Sequence, residues 1–429
     1  MPRPLTIAML SIHSSPLGVL GTRDTGGMSV YVRALAREMG RAGHRVDIFT
    51  LRRHTDEPAT QALGQNVRLV SLDIGLKTLP PKRELHRYAA ECRAAVEAFR
   101  VQTAGAYDLI HSHYWISGEV GRRLGELWHR PHAVTFHTLA AMKDRTGAGR
   151  PATARRLAVE KALVRDADAL LVACAGEVEN LVRYHRADPE RIMQVPGGVD
   201  FERFRPLDGH RARRQLGFDP EDFIILSVGR LAPLKGQERI LEALALLGAD
   251  ANLKLVLVGG DGPADPEQRR LERRAARAGL DGRVTFTGSV LYEDLPAYYA
   301  AADVFVQASR YESFGLVGLE ALACGRPVVT SPVGIMATLG ERSPPGCLLT
   351  DGSPAELAGG IAAVRSRNEA WPPAAIRAAV RTFSWPQAAD AALAAYRRAI
   401  GGHAGAGFPK LKTRPAPGGL AKPRSTGSV

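Results

Sequence analysis

At 429 residues the chain is too long for one hydrophobic core, since single cores rarely grow beyond ~250–300 residues, and two domains are expected. Its apolar content of 45% excludes a disordered polymer, and no run approaches the ~18 apolar residues of a membrane-spanning helix. The net charge of +13 suits an anionic partner, yet no basic run is interleaved with aromatic residues, so nucleic acid is not expected as one. Met1–Leu10 carries one arginine and a short apolar run, without a small-residue cleavage pattern after it. It reads as a first β-strand rather than a leader, which implies the cytoplasm. Cys92, Cys174, Cys324 and Cys347 are far apart and form no CxxC pair, so buried reduced thiols are expected.

Short β-branched runs alternate with helical stretches. The first series of strands is Leu5–Leu10, Val46–Thr50, Val67–Leu72, Leu109–His111, Ala133–Phe136, Ala169–Ala173 and Ile192–Val195. Between them, Val30, Tyr31, Ala34, Leu35 and Met39 recur at helical spacing. Pro196–Pro206 reads as a turn-rich linker. A second series follows at Phe223–Val228, Leu253–Val258, Val284–Thr287, Val304–Val306, Val328–Thr330 and Leu348–Leu349. Alternation of this kind gives an α/β chain of two doubly wound, Rossmann-like domains, over residues 1–200 and 201–384. Ligands of such sheets sit outside the carboxyl ends of the strands, so the two domains would face a central cleft. A last helix spans residues 385–400. Residues 401–429 read as a disordered basic tail, either solvated or an anchor for peripheral association with an anionic membrane.

Four motifs fall at the expected cleft. Thr25-Gly26-Gly27-Met28 opens a helix, where free N–H groups and the helix dipole favour phosphate. Gly229-Arg230 follows a strand and Lys235-Gly236 lies just beyond, two cations able to neutralise a departing diphosphate. In Glu312-Ser313-Phe314-Gly315-Leu316, Ser313 looks like a helix N-cap with Glu312 just before it. Glu320 is the only charge in the apolar helix that follows. A buried carboxylate needs partners, which could be sugar hydroxyls or a neighbouring backbone. His111-Ser112-His113-Tyr114-Trp115 and Thr135-Phe136-His137-Thr138 follow first-domain strands. Their HxH spacing lacks a further ligand nearby, so a polar acceptor pocket is expected and a metal site is not.

Taken together, Gly26-Gly27, Gly229-Arg230, Lys235-Gly236 and Glu312 to Glu320 resemble the retaining glycosyltransferases of family four over about residues 4–400. The resemblance implies the two-lobed GT-B fold, a nucleotide-sugar donor that is UDP-linked, no catalytic metal or other cofactor, and a final helix that packs back on the first domain. It implies that Arg230 and Lys235 hold the diphosphate, with Gly26 and Gly27 approaching from the other lobe. Glu320 would bind the ribose, within a donor site completed by Phe314, Gly315 and Leu316. Glu312 would contact the transferred sugar and His137 would sit beside it. The acceptor hydroxyl would attack from the front face with help from the leaving phosphate. Among family members, the inositol-phosphate N-acetylglucosaminyltransferases and the sucrose-phosphate synthases are most similar. Similarity to the inositol-phosphate enzymes puts Lys82 (or Lys77), Tyr114, Thr138 and Arg155 around an acceptor phosphate, with Ser29 nearby where those enzymes have Asn. A polysaccharide or lipid-linked acceptor, and a nucleotide-sugar binder without activity, are the alternatives.

Overall fold

The computed structural model describes residues 3–18, 26–147, 151–366 and 371–405. Two sheets carry the architecture. The first contains β1 (Thr6–Leu10), β2 (Arg45–Leu51), β3 (Thr60–Gly64), β4 (Val67–Leu72), β5 (Leu109–His113), β6 (His132–Thr135), β7 (Ala169–Val172) and β8 (Ile192–Gln194). The second contains β9 (Phe223–Val228), β10 (Leu253–Val258), β11 (Val284–Gly288), β12 (Val304–Gln307), β13 (Val328–Thr330) and β14 (Cys347–Leu349). Their strand orders are β3-β4-β2-β1-β5-β6-β7-β8 and β11-β10-β9-β12-β13-β14. Every pairing is parallel except β3 with β4. Helices on both faces bury the continuous apolar strands, as parallel sheets require.

Each of the thirteen strands read from the sequence forms. β3 escapes the sequence reading for a physical reason. Thr60–Gly64 is an edge strand with one buried side chain, Leu63, so it carries no apolar run.

The helix Trp385–Gly405 follows the second sheet and returns to the first lobe. Its Tyr396 hydroxyl lies 2.7 Å from His111 Nδ1 on β5, and Trp385 packs edge-on to Tyr31 at 5.8 Å between ring centroids. The basic tail read from the sequence begins within this helix, at Gly401–Gly405, and its remainder, 406–429, lies outside the described residues, as does Thr25. None of the described helices is long and apolar enough to cross a membrane.

Candidate active site

The carboxyl ends of both sheets open onto one cavity. From the first lobe it is lined by the loop after β1, the start of the helix Gly27–Arg41, Tyr114 after β5, and His137 and Thr138 after β6. From the second lobe come Gly229 and Arg230 after β9, Gly259 after β10, and the segment Tyr311–Val317 after β12.

On the second-lobe side, Lys235 lies at the end of a short 3₁₀ turn. Its Nζ donates to Glu312 Oε1 at 2.5 Å, and the same oxygen accepts from Ser309 Oγ at 2.7 Å. Glu312 therefore holds the ammonium in place and keeps a second carboxylate oxygen for a ligand. The Gln237 amide fixes the Arg230 backbone through its carbonyl at 2.9 Å. Gly26 faces Arg230 across the cleft, since a Cβ there would stand 3.7 Å from Arg230 Nε. A Cβ on Gly27 would meet Leu316 at 3.6 Å, an ordinary contact, so packing alone does not demand glycine at either position.

The helix after Glu312 begins later than the sequence suggests. Gly315, at φ +95°, is the N-cap of Leu316–Ala323, a conformation that favours glycine. Ser313 is not the cap. Its hydroxyl donates to the backbone carbonyl of His137, tying the two lobes together beside the cavity. Glu320 is buried at 3% exposure and lines the cavity, and its two oxygens accept from the hydroxyls of Tyr292 at 2.8 Å and Tyr299 at 3.0 Å. Side-chain hydroxyls rather than backbone thus supply part of its hydrogen bonding. Burial nevertheless pushes its carboxyl up to about 7, against the opposing effect of the two tyrosines.

First-lobe residues bring the other half of the site together. Lys82 Nζ sits 4.4 Å from the Tyr114 ring centroid and the Arg156 guanidinium 5.0 Å from it. Arg156 Nη2 donates to the Thr138 carbonyl at 2.6 Å, while its Nε donates to the fully buried Glu160 at 2.7 Å. Glu160 also accepts from the Ala140 backbone at 2.9 Å. Tyr114 and His137 have φ of +74° and +56°, the left-handed region that side-chain-bearing residues seldom occupy.

Lys82, Tyr114 and Thr138 line the cavity, but two other residues of the sequence-derived acceptor set do not. Arg155 points to Glu119 and is half exposed. The arginine that packs against lining residues is Arg156, on the Tyr114 ring and the Thr138 carbonyl, although it is not itself part of the lining. On the helix Ala154–Asp166 the buried stripe is Arg156, Val159, Glu160, Leu163 and Val164, which leaves Arg155 outside it. That stripe was readable from the spacing of Val159 and Leu163, and the Arg156–Glu160 pair at (i, i+4) reinforces it. Ser29 is buried beneath the site, its hydroxyl 2.9 Å from that of Ser14, which does line the cavity. Sequence reasoning also passed over His13, stacked on Tyr114 at 4.5 Å between centroids, and Glu177, buried and pushed up to about 7 by desolvation. Neither has a local sequence signal, because both depend on neighbours distant in the chain. Among the described residues no group of three His, Cys, Asp or Glu side chains is placed to hold a metal ion.

Comparison with known proteins accords with this geometry. Residues 26–198 match the family model described as Glycosyl transferase 4-like domain, and residues 209–372 match Glycosyl transferases group 1. A D-inositol 3-phosphate glycosyltransferase of Geodermatophilus obscurus is 38% identical over 98% of this chain and 94% of its own length. This chain belongs to the group 1 glycosyltransferases. It is an enzyme that transfers a sugar, on the GT-B scaffold of two Rossmann-like lobes. Among solved structures, the sucrose-phosphate synthase of Thermosynechococcus elongatus is similar with a TM-score of 0.83 and 31% identity, over 93% of this chain and 100% of that one. Anabaena HepE, solved in complex with UDP and glucose, shares the fold, with a TM-score of 0.71 and 23% identity over 91% of this chain and 98% of that one.

Proposed function

We propose that this glycosyltransferase moves a hexosyl or N-acetylhexosaminyl group from a UDP-sugar to a phosphorylated polyol or sugar such as inositol phosphate, with retention at the anomeric carbon. The observation that carries this reading is a cavity with cationic walls on both lobes: Arg230 and Lys235 line it on one, Lys82 lines it on the other, and Arg156 packs on the same Tyr114 ring as Lys82 without lining the cavity itself. Two phosphorylated groups, one on each substrate, match two such walls. The names of two relatives, an inositol 3-phosphate glycosyltransferase and a sucrose-phosphate synthase, support the same acceptor class.

In this scheme the bond from the anomeric carbon to the diphosphate oxygen breaks, and negative charge grows on the departing phosphate. Arg230 and Lys235 stabilise that charge, with Glu312 fixing the lysine. Glu320 binds the ribose through a carboxylate oxygen, sharing it with Tyr292 or Tyr299. The acceptor phosphate sits against Lys82, Tyr114 and Thr138, the last two braced by Arg156, and this holds a ring hydroxyl at the same face of the donor sugar. That hydroxyl attacks, and its proton passes to the leaving phosphate oxygen. No enzyme nucleophile is required.

The test is a substrate matrix: UDP-, GDP- and ADP-sugars against inositol phosphate, hexose phosphates and their unphosphorylated counterparts. Turnover with a UDP-sugar and a phosphorylated acceptor, giving a product of unchanged anomeric configuration, is the expected result. Turnover only with unphosphorylated acceptors, or an inverted product, overturns the proposal.

A further inference from the structure

Beside the cavity lies a chain of histidines that the scheme above leaves unused. His113 Nδ1 is 2.8 Å from His137 Nε2, and the two rings stack at 5.1 Å between centroids. His113 Nε2 is buried and has no hydrogen-bond partner. His111 packs against His113 at 4.1 Å between ring centroids. Both nitrogens of His111 are already engaged: Nδ1 with the Tyr396 hydroxyl at 2.7 Å and Nε2 with Thr135 Oγ1 at 2.9 Å. Tyr31 closes the group edge-on to His113 and His137 at 5.9 and 5.3 Å.

Proton accounting decides between two arrangements. Burial holds His111 and His113 well below the usual histidine range and His137 at about 3, so each ring carries one proton. If His113 carried it on Nε2, a buried N–H would have no acceptor, a costly arrangement. With the proton on Nδ1, His113 donates to His137 Nε2 and leaves only an unshared lone pair buried. His137 then carries its own proton on Nδ1.

We propose that His113 is a positioning residue that fixes His137 as the Nδ1–H tautomer, so that His137 presents a hydrogen-bond donor to an oxygen of the transferred sugar or the departing diphosphate. The donor role rests on the site assignment proposed above. The tautomer assignment rests only on the buried contacts. The usual orienting partner of a functional histidine is a carboxylate or a backbone carbonyl. A neutral histidine in that place sets the tautomer without adding charge beside the anionic donor.

The experiment is long-range ¹H–¹⁵N correlation of histidine side chains in the labelled full chain, alongside steady-state kinetics. The expected spectrum shows His137 protonated at Nδ1. His113→Asn places an amide N–H where Nδ1–H stood, so it should keep that signature and hold kcat within about threefold. His113→Leu removes the donor and should mix the His137 tautomers. It should lower kcat by about tenfold to a hundredfold, the scale on which orienting partners act, while KM for the donor stays within about twofold. Thermal melts establish that both variants fold. An Nε2–H signature in the unaltered protein overturns the proposal, as does an unchanged tautomer in His113→Leu or equal impairment by Asn and Leu. Normal turnover by His137→Phe, where the unaltered protein shows the Nδ1–H signature, overturns the donor role and the site reading behind it, while the proton assignment stands.

Discussion

The two walls of the cavity are built by different means. On the second lobe, Arg230, Lys235, Glu312, Gly315 and Glu320 lie in two short segments, and each is positioned by its own turn or helix. On the first lobe, Lys82, Tyr114 and Thr138 come from separate loops and helices, held by the Lys82 and Arg156 cations on the Tyr114 ring, the Arg156 bond to the Thr138 carbonyl and the buried Glu160 that fixes Arg156. The wall proposed for the donor is local in sequence and the one proposed for the acceptor is not. A local motif can serve many enzymes that use the same kind of donor, whereas an assembled pocket is shaped for one class of acceptor.

The contrast breaks most sharply at Lys235. On the proposed assignment its ammonium stabilises the departing diphosphate, so Lys235→Ala should reduce kcat by about a hundredfold to a thousandfold, the scale of losing one preorganised charge-stabilising donor. Retention of a normal melting temperature would show that the loss is chemical. Unchanged turnover would remove Lys235 from the diphosphate site. On the opposite wall, Arg156→Ala should raise KM for a phosphorylated acceptor by about tenfold to a hundredfold, because it removes the cation that braces the Tyr114 ring and the Thr138 carbonyl and leaves the buried Glu160 without its partner. Arg155→Ala should stay within about twofold, since its partner Glu119 lies outside the cavity lining. Equal effects at the two arginines would undo the role of Arg156 as the support of the pocket residues Tyr114 and Thr138.

The same contrast explains what the sequence could reveal. Parallel strands buried on both faces announce themselves as apolar runs, which is why thirteen of the fourteen strands were legible and the exposed edge strand Thr60–Gly64 was not. The second-lobe residues that line the cavity were legible as candidates because they sit at strand ends and at the start of a helix, where glycines and charges stand out locally. Arg155 and Arg156 show the limit of that approach. Two adjacent arginines on a helix differ by about 100° in direction, and the packing stripe rather than the residue type selects the one that packs against Tyr114 and Thr138. Ser313 shows another limit. Ser is a good N-cap by composition, yet Gly315 takes the left-handed turn and leaves the Ser313 hydroxyl to bridge the lobes.

Gly27 offers a finer test. A methyl group there would meet only Leu316, at an ordinary 3.6 Å, so Gly27→Ala should shift the melting temperature by no more than about 2 °C. If the Gly27 backbone must approach a diphosphate, the same substitution should weaken binding of a UDP-sugar by about tenfold. A protein of unchanged affinity would mean that the diphosphate contacts the second lobe alone.

The smallest effect is the pH dependence at Glu320, and it addresses how the donor wall treats the nucleoside. Burial raises this carboxyl from an ordinary 4.5 to about 7. The folded carboxyl therefore keeps its proton to higher pH than the unfolded one, so its contribution makes stability fall as pH rises from about 4.5 to about 7, then level off. Binding runs the other way. Ribose hydroxyls that donate to Glu320 favour its ionised form and lower its pKa in the complex. Affinity for a UDP-sugar, whose diphosphate does not titrate in this range, should then increase from pH 6 to pH 8 by about threefold to tenfold, flattening above about 7. Calorimetry in buffers of different ionisation enthalpy should register proton release on binding at pH 6.5. Glu320→Gln should abolish both the slope and the release. A slope that survives in that variant would place the titrating group elsewhere, with Glu177, also raised to about 7 and also lining the cavity, as the next residue to replace.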